Sequence, residues 1–243
     1  MKHRLEQFFA WRWAPWCVAA VCAVLAVGLT FFWVGAQYDS ARRYAPMAEC
    51  FAAGDWGSAF HPRFGVGFQV LTGSWVWLSG QAGLRACAQV ALVAWALAVP
   101  FVFALARRLF DCKVAWMAVA LYVICPMLFG WAHEGMRESF RTLGVLLAVL
   151  GILERRDGAS GFGKFFAALP LLCMFRADTI VIAGAFTFVY ALYDWFRLRT
   201  WVLAVWGVLC LQPTCYLAWY RTGIWLPSVQ FVQMWQKFVE AVL

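Results

Sequence analysis

Asp39 is the first residue in the sequence whose chemistry stands out, because it follows directly after a long apolar run. A carboxylate held near a membrane surface can serve as a general base for an acceptor hydroxyl or amine. Aspartate is also a preferred N-cap, and the residues after it, including Tyr44 and Met47, have helical spacing. The sequence therefore leaves two interpretations of Asp39 open, a catalytic base and a helix cap.

Other carboxylates lie beside basic residues where apolar runs end or break. Charges kept close to a bilayer are costly, and those that occur there are commonly functional. Each has an ordinary alternative, such as a helix cap, a lipid headgroup contact or an ion pair at a spacing of three or four on one helix face. The further candidate site residues are Arg42, Arg43, Tyr44, Asp55, His61, Arg63, Glu134, Arg137, Glu138, Arg141, Arg176 and Asp178.

Composition indicates why these charges should lie beside a membrane. Of the 243 residues, 65% are hydrophobic and only 13% are charged, and the mean hydropathy is +0.73. Soluble domains are about half apolar and about a quarter charged, so a water-soluble globule is excluded. The composition predicts an all-α, polytopic membrane protein, since each spanning helix needs about 20 apolar residues.

The apolar runs predict about seven transmembrane helices, with two interfacial helices in the first outer loop. The chain then divides into an inside N-terminus with the first span (1–36), an outer loop that holds the candidate site (37–83), and the remaining spans with a short outer tail (84–243). The spans are predicted at about Trp13 to Val34, Leu84 to Ala106, Val114 to Trp131 with a break near Pro126, Ser139 to Glu154, two short helices within Phe162 to Phe196, and Thr200 to Tyr220. The interfacial helices are predicted around Tyr44 to Phe51 and at Phe68 to Leu78.

The formal net charge of +8 does not indicate a nucleic-acid partner, because the basic residues end apolar runs instead of forming one soluble stripe. Lys and Arg at such positions favour the cytoplasmic side. We therefore predict an integral protein of an inner or plasma membrane, with a cytoplasmic N-terminus and the candidate site on the outer face. A small transporter is a weaker alternative, since no internal repeat is evident.

Metal and cofactor sites have little support in the sequence. There are three His residues, no D-x-D pair and no Gly-rich phosphate loop. His133 with Glu134 and Glu138 is the one set that could hold a divalent ion. The prediction is no metal site and no cofactor.

The first outer loop resembles that of the membrane-embedded C-type (GT-C) glycosyltransferases, in particular the protein O-mannosyltransferase and lipid A aminoarabinose transferase branch. The resemblance is carried by Asp39, Tyr44-Ala45-Pro46-Met47-Ala48, Ala53-Gly54-Asp55-Trp56 and His61-Pro62. Family members commonly have a second proline where this chain has Arg63. An acidic residue at the fourth span, here Glu138 with Glu134 as a competitor, and the break at Phe175-Arg176-Ala177-Asp178 also suit the family pattern.

The resemblance implies transfer of a sugar from a polyprenyl-phosphate donor to an acceptor glycan, lipid or protein on the outer face. Asp39 would deprotonate the acceptor, with Glu138 or Glu134 as further catalytic acids. Arginines would hold the lipid phosphate, on which negative charge grows in the transition state. Arg137 and Arg176 rank first, before Arg42, Arg43, Arg63 and Arg141, and Tyr44, Asp55, His61 and Asp178 would contact substrate.

Known family members are usually much longer than this chain. The expectation is therefore a short version of the enzyme, a truncated relative, or one part of an assembly whose partner chain completes the site. The alternative function is a non-catalytic module that binds polyprenyl lipid or scaffolds a glycan-assembly complex.

Overall fold

The computed structural model is all-helical over the residues that it describes, which are 13–35, 37–61, 64–175, 179–195 and 197–222. The predicted all-α class is confirmed. The helices are α1 (Ala14–Leu29), a π-helical turn (Ser40–Tyr44), α2 (Ala45–Ala52), α3 (Trp56–Ala59), α4 (Val66–Ser79), α5 (Gly83–Leu109), α6 (Cys112–Ile124), α7 (Pro126–His133), α8 (Glu138–Arg156), α9 (Phe162–Cys173), α10 (Ile180–Asp194) and α11 (Leu198–Thr222).

The longer helices run back and forth between two ends of the bundle. One end, here called the loop end, carries residues 35, 37–61, 64–65, 133–138 and 174–175, where Gly35 contacts His133 and Arg137 contacts Phe175. The other, the basic end, carries Arg108 and residues 153–164, 194–195 and 197–200. The predicted site residues that the structure describes therefore lie at the loop end, because successive long helices run in opposite directions and their loops alternate between the two ends.

Two apolar clusters fill the interior. The larger one joins α5, α8 and α9 and includes Trp95, Leu147 and Phe165. A row of buried alanines on α5, such as Ala91 and Ala98, lets neighbouring helices approach closely, as small residues do in helical membrane proteins. The second cluster lies at the loop end and packs aromatic side chains from four segments: Tyr44, Phe64, Phe68, Phe140 and Phe175.

The basic end is held by ion pairs. Arg108 Nη2 lies 2.7 Å from Asp157 Oδ2, and Lys164 Nζ lies 2.5 Å from Glu154 Oε1. The Arg108 guanidinium beside Asp157, together with Arg156, holds the pKa of this carboxyl below its ordinary value. Several residues predicted as topology signals thus also join neighbouring helices.

The two helices predicted in the first loop are present. The first is a π-helical turn that continues directly into α2, and the second, α4, extends two residues before and one residue beyond the predicted segment. Trp75 on α4 donates from Nε1 to Gln89 Oε1 at 2.6 Å, and Gln89 donates from Nε2 to Thr30 Oγ1 at 3.1 Å. These bonds attach α4 to α5 and to the end of α1.

One helix among the described residues, α5 with 27 residues, is both long and apolar enough to cross a bilayer. Helices α6 and α7 meet this criterion only as a pair, with a bend of 49° at Pro126, where the sequence predicts a break. Helices α1, α9 and α10 are apolar but shorter. The seven-span organisation stays a prediction.

Candidate functional site

Asp39 forms an ion pair within its own helical turn. Its Oδ1 lies 3.0 Å from Arg43 Nη1, four residues on, and both side chains are about one-third exposed. The Asp39 side chain makes no capping hydrogen bond, although it lies at the start of the π-helical turn. The structural role that we find for Asp39 is therefore an ion pair and not the predicted cap.

The ring of Phe64 lies close to two guanidinium groups. Arg43 Cζ is 5.5 Å from the ring centroid, and Arg137 Cζ is 5.3 Å from it. Both distances are in the range of cation–π attraction. Arg137 is buried and also lies 5.6 Å from the Tyr44 ring, which packs edge-on against Phe64. Phe64 thus connects the Asp39–Arg43 pair to the predicted phosphate-binding Arg137.

The turn after α9 packs against the start of α4. Arg137 Nη1 donates to the Phe175 carbonyl at 3.4 Å, and the Phe175 ring stacks on Phe140 at 4.2 Å. The Gly67 N–H donates to the Met174 carbonyl at 2.9 Å. The break predicted at 175–178 therefore begins beside Arg137. Arg176, Asp178 and Arg63, predicted as site residues, lie outside the described residues.

Gly65 permits this contact, because a Cβ built on it would lie 2.2 Å from the Met174 carbonyl oxygen. We expect Gly65→Ala to destabilise the protein by about 1–3 kcal/mol, since backbone atoms cannot move aside as a side chain can. The measurement is thermal unfolding in detergent. Gly130→Ala is the matched control, because its Cβ would meet no atom within 4 Å. An equal Tm for both variants and the wild type would contradict the claim that this contact leaves no room for a Cβ at Gly65.

A cavity of about 410 Å³ opens beside Arg43, and Asp39 is not among the residues that line it. It is lined by Arg42, Arg43 and His61 together with apolar side chains that include Phe64. The guanidinium of Arg42 lies 5.2 Å from the Tyr38 ring centroid. Arg137 is not among the lining residues, although it contacts the same Phe64 ring. The cationic wall of the cavity thus comes from residues that the sequence ranked second.

His133 and Glu134 lie beside the segment that leads to Asp39. The Gly35 N–H donates to His133 Nδ1 at 3.2 Å, and the His133 ring lies 4.5 Å from that of Trp33. In the described ranges, no three His, Cys, Asp or Glu side chains come together as metal ligands. His133 therefore links α7 to residue 35 through its Nδ1 atom.

Three other candidates have different surroundings. Asp55 caps α3 by accepting a hydrogen bond from the Ser58 N–H at 3.2 Å, which is the ordinary alternative for this residue. Glu138 lines a small internal cavity of about 10 Å³ near Trp95 and not the larger one. Arg141 is partly buried one turn beyond Arg137. The structure thus does not place these three side chains on the wall of the large cavity.

Phe64 and Phe175 both contact arginines of the site, and neither was predicted as a site residue. Two glycines alternate with larger residues in Phe64-Gly65-Val66-Gly67-Phe68, and both glycines contact the turn at 174–175. A glycine repeat at the start of a helix is a signal for close approach of another backbone. It does not indicate which part of the chain approaches.

The chain was also compared with known proteins. No protein-family model, no curated protein and no solved structure matches it. The glycosyltransferase resemblance therefore depends on the quoted residues of the first loop.

Proposed function

We propose that this chain is a membrane-embedded glycosyltransferase that moves a sugar from a polyprenyl-phosphate donor to an acceptor. The observation that supports this most is a carboxylate paired with an arginine of a cavity wall. Asp39 is 3.0 Å from Arg43, and Arg43 lines the cavity together with Arg42 and His61. A base next to an anion-binding wall is what transfer from a phosphate leaving group requires.

In the proposed reaction, Asp39 takes the proton of the acceptor hydroxyl or amine. The acceptor atom attacks the sugar carbon, and the bond from this carbon to the lipid phosphate oxygen breaks, with inversion. The phosphate leaves with the electron pair of the broken bond. Arg42, Arg43 and His61 stabilise its charge from the cavity wall, and bidentate contacts make arginine suitable for this.

The proposal includes the membrane arrangement. The chain would cross an inner or plasma membrane about seven times, with the loop end outside and the basic end in the cytoplasm. This orientation is supported by the four ion-paired cations at the basic end, Arg108, Arg155, Arg156 and Lys164, since basic residues favour the cytoplasmic side. A partner chain that completes the acceptor site is compatible with this arrangement.

A second candidate function is a non-catalytic module that binds polyprenyl lipid. It is favoured by one observation, the ion pair that already engages Asp39. In this alternative the Asp39 carboxylate only positions Arg43, and the cavity binds a lipid phosphate without turnover.

The test uses the purified full chain in lipid vesicles with a polyprenyl phosphate that carries a labelled sugar. Release of the polyprenyl phosphate measures turnover, with water or added sugar alcohols as acceptor, and native mass spectrometry measures binding. We expect Arg42→Gln with Arg43→Gln to raise the apparent KM for the donor at least about tenfold, since hydrogen bonds to charged groups contribute about 1.5–3 kcal/mol each. Binding without turnover would support the second function, and neither binding nor turnover would contradict both.

The control for this double variant is Arg107→Gln with Lys113→Gln. Both side chains are exposed, and neither lines the cavity. Their replacement is expected to leave the KM for the donor unchanged. An equal rise in KM for both double variants would indicate that net charge, and not the cavity, attracts the donor.

A further inference from the structure

Two arginines at the basic end have no acidic partner among the described residues. Arg197 and Arg199 are exposed at the start of α11, and Arg199 Nη1 has only a long contact of 3.5 Å with Ser160 Oγ. The end as a whole does not lack carboxylates. Four of its other cations, Arg108, Arg155, Arg156 and Lys164, are each in an ion pair.

These two arginines line a cavity of about 330 Å³ together with Asp194 and Leu198. Asp194 does not make the cavity acidic, because its Oδ1 lies 2.8 Å from Arg155 Nε and its Oδ2 accepts a hydrogen bond from Thr200. Its charge is matched by Arg155. The cavity therefore has an excess of positive charge that an anion can neutralise.

An apolar groove of about 340 Å³ begins at the next residue of α11. Helices α10 and α11 provide most of its lining, which includes Gly184, Thr187, Phe188, Trp201, Gly207 and Leu211. On α11 the lining extends from Thr200 to Leu211. At 1.5 Å per residue this is about 16 Å, close to half of the roughly 30 Å hydrocarbon core of a bilayer.

Aromatic and aliphatic side chains surround the junction of cavity and groove. Trp195 is 82% exposed, Leu198 is 78% exposed and Trp201 is 60% exposed. Tryptophan is enriched at the level of lipid headgroups, where one part of the ring is apolar and the N–H is hydrated. The junction thus has the residue types expected at the boundary between headgroups and acyl chains.

We propose that this corner is a binding site for one anionic phospholipid of the cytoplasmic leaflet. Arg197 and Arg199 hold the headgroup phosphate in the cavity, and one acyl chain lies in the groove between α10 and α11. The groove is about as long as one leaflet and matches an acyl chain. A free phosphate or a soluble nucleotide has no acyl chain to place in it. The choice of leaflet rests on the membrane orientation in the proposed function, but the site does not depend on the sugar transfer, which concerns the opposite end of the molecule.

Binding of the headgroup phosphate by the two arginines is tested by native mass spectrometry of the full chain in detergent, with phosphatidylglycerol and phosphatidylcholine as probes. We expect Arg197→Gln with Arg199→Gln to weaken phosphatidylglycerol binding about 30-fold, since each basic side chain near an anionic surface contributes roughly a factor of five. Arg107→Gln with Lys113→Gln is the control and should change this affinity less than about threefold. Equal weakening by both pairs, or no preference of the wild type for phosphatidylglycerol, would overturn the proposal.

Binding of the acyl chain in the groove is tested with Gly184→Leu, which places a side chain in the groove. A Cβ at Gly184 meets no atom within 4 Å, and leucine is the better helix former, so the fold should be kept. We expect this variant to lose at least about nine-tenths of the bound phosphatidylglycerol. Gly163→Leu is the matched control, because its Cβ also meets no atom and it lies outside the groove. Retention of the lipid by Gly184→Leu would disprove the groove.

Inorganic phosphate distinguishes a lipid from a free anion. We expect phosphatidylglycerol to raise the Tm of the wild type, and millimolar inorganic phosphate to leave it unchanged. If inorganic phosphate stabilises the wild type as much as the lipid does, the corner is a site for small anions and the lipid proposal is wrong.

Discussion

Replacing Asp39 with Asn is expected to reduce sugar transfer about 10²–10⁴-fold, the range that a positioned general base contributes. Asparagine has nearly the same shape but cannot take the proton of the acceptor. Binding of the donor should change little, because the cavity wall with Arg42, Arg43 and His61 is retained. The measurement is single-turnover release of the labelled polyprenyl phosphate in vesicles, with donor binding measured in parallel.

Asp55→Asn is the matched control for Asp39→Asn. Asp55 is an exposed carboxylate in the same loop that caps α3, and asparagine caps a helix about as well as aspartate does. This variant should keep both stability and transfer. Transfer that persists in Asp39→Asn, with the protein still inserted in the membrane, would rule out the general-base role.

Stability separates a catalytic role of Asp39 from a purely structural one. The Asp39–Arg43 pair is partly exposed, and such pairs contribute about 0–1 kcal/mol to stability. We therefore expect Asp39→Asn to melt close to the wild type. A large loss of stability that accompanies the loss of transfer would indicate that Asp39 acts by positioning Arg43.

Breaking the Arg155–Asp194 pair is expected to destabilise the protein by about 3–5 kcal/mol, the range observed when one partner of a buried pair is removed. Asp194 is 1% exposed, and its carboxylate contacts both Arg155 Nε at 2.8 Å and Thr200 Oγ1 at 2.9 Å. Arg155→Met leaves this carboxylate buried without its cation. For a chain of this size the loss corresponds to a decrease in Tm of about 6–20 °C.

A double replacement tests the cause of this loss. Because desolvation of two charges offsets most of their attraction, Arg155→Met with Asp194→Leu should recover most of the stability lost by either single variant. Arg156→Met serves as the control, since its pair with Asp157 is exposed and should contribute little. Additive losses in the double variant would show that packing, and not an unpaired charge, causes the effect.

The regular parts of the fold could be predicted from the sequence. The span predicted at Leu84 to Ala106 is α5, and the break predicted near Pro126 is the 49° bend between α6 and α7. These features depend on local signals, namely long apolar runs and a proline that cannot donate a backbone hydrogen bond. The helix predicted to begin at Ser139 is α8, which begins one residue earlier, at Glu138.

The pairings between distant segments could not be predicted. The ion pair of Arg155 with Asp194 joins residues 39 positions apart, and the Phe64 ring contacts arginines from two separate elements. Such contacts depend on which helices become neighbours, and periodicity within one segment does not indicate this. The sequence predicted that Asp39 and Arg137 belong to one cluster, but not that Phe64 would contact both Arg43 and Arg137.

The length of α9 has a consequence for the membrane around it. Its 12 residues extend for about 18 Å, yet the helix connects the basic end to the loop end. The hydrocarbon core of an ordinary bilayer is about 30 Å thick, so in the proposed membrane arrangement lipids beside α9 would be compressed or the flanking residues would reach outwards. Hydrophobic mismatch of this kind costs a fraction of a kcal/mol per Å. In that arrangement, this side of the protein would suit a thinner bilayer than its longest helix, α5, requires.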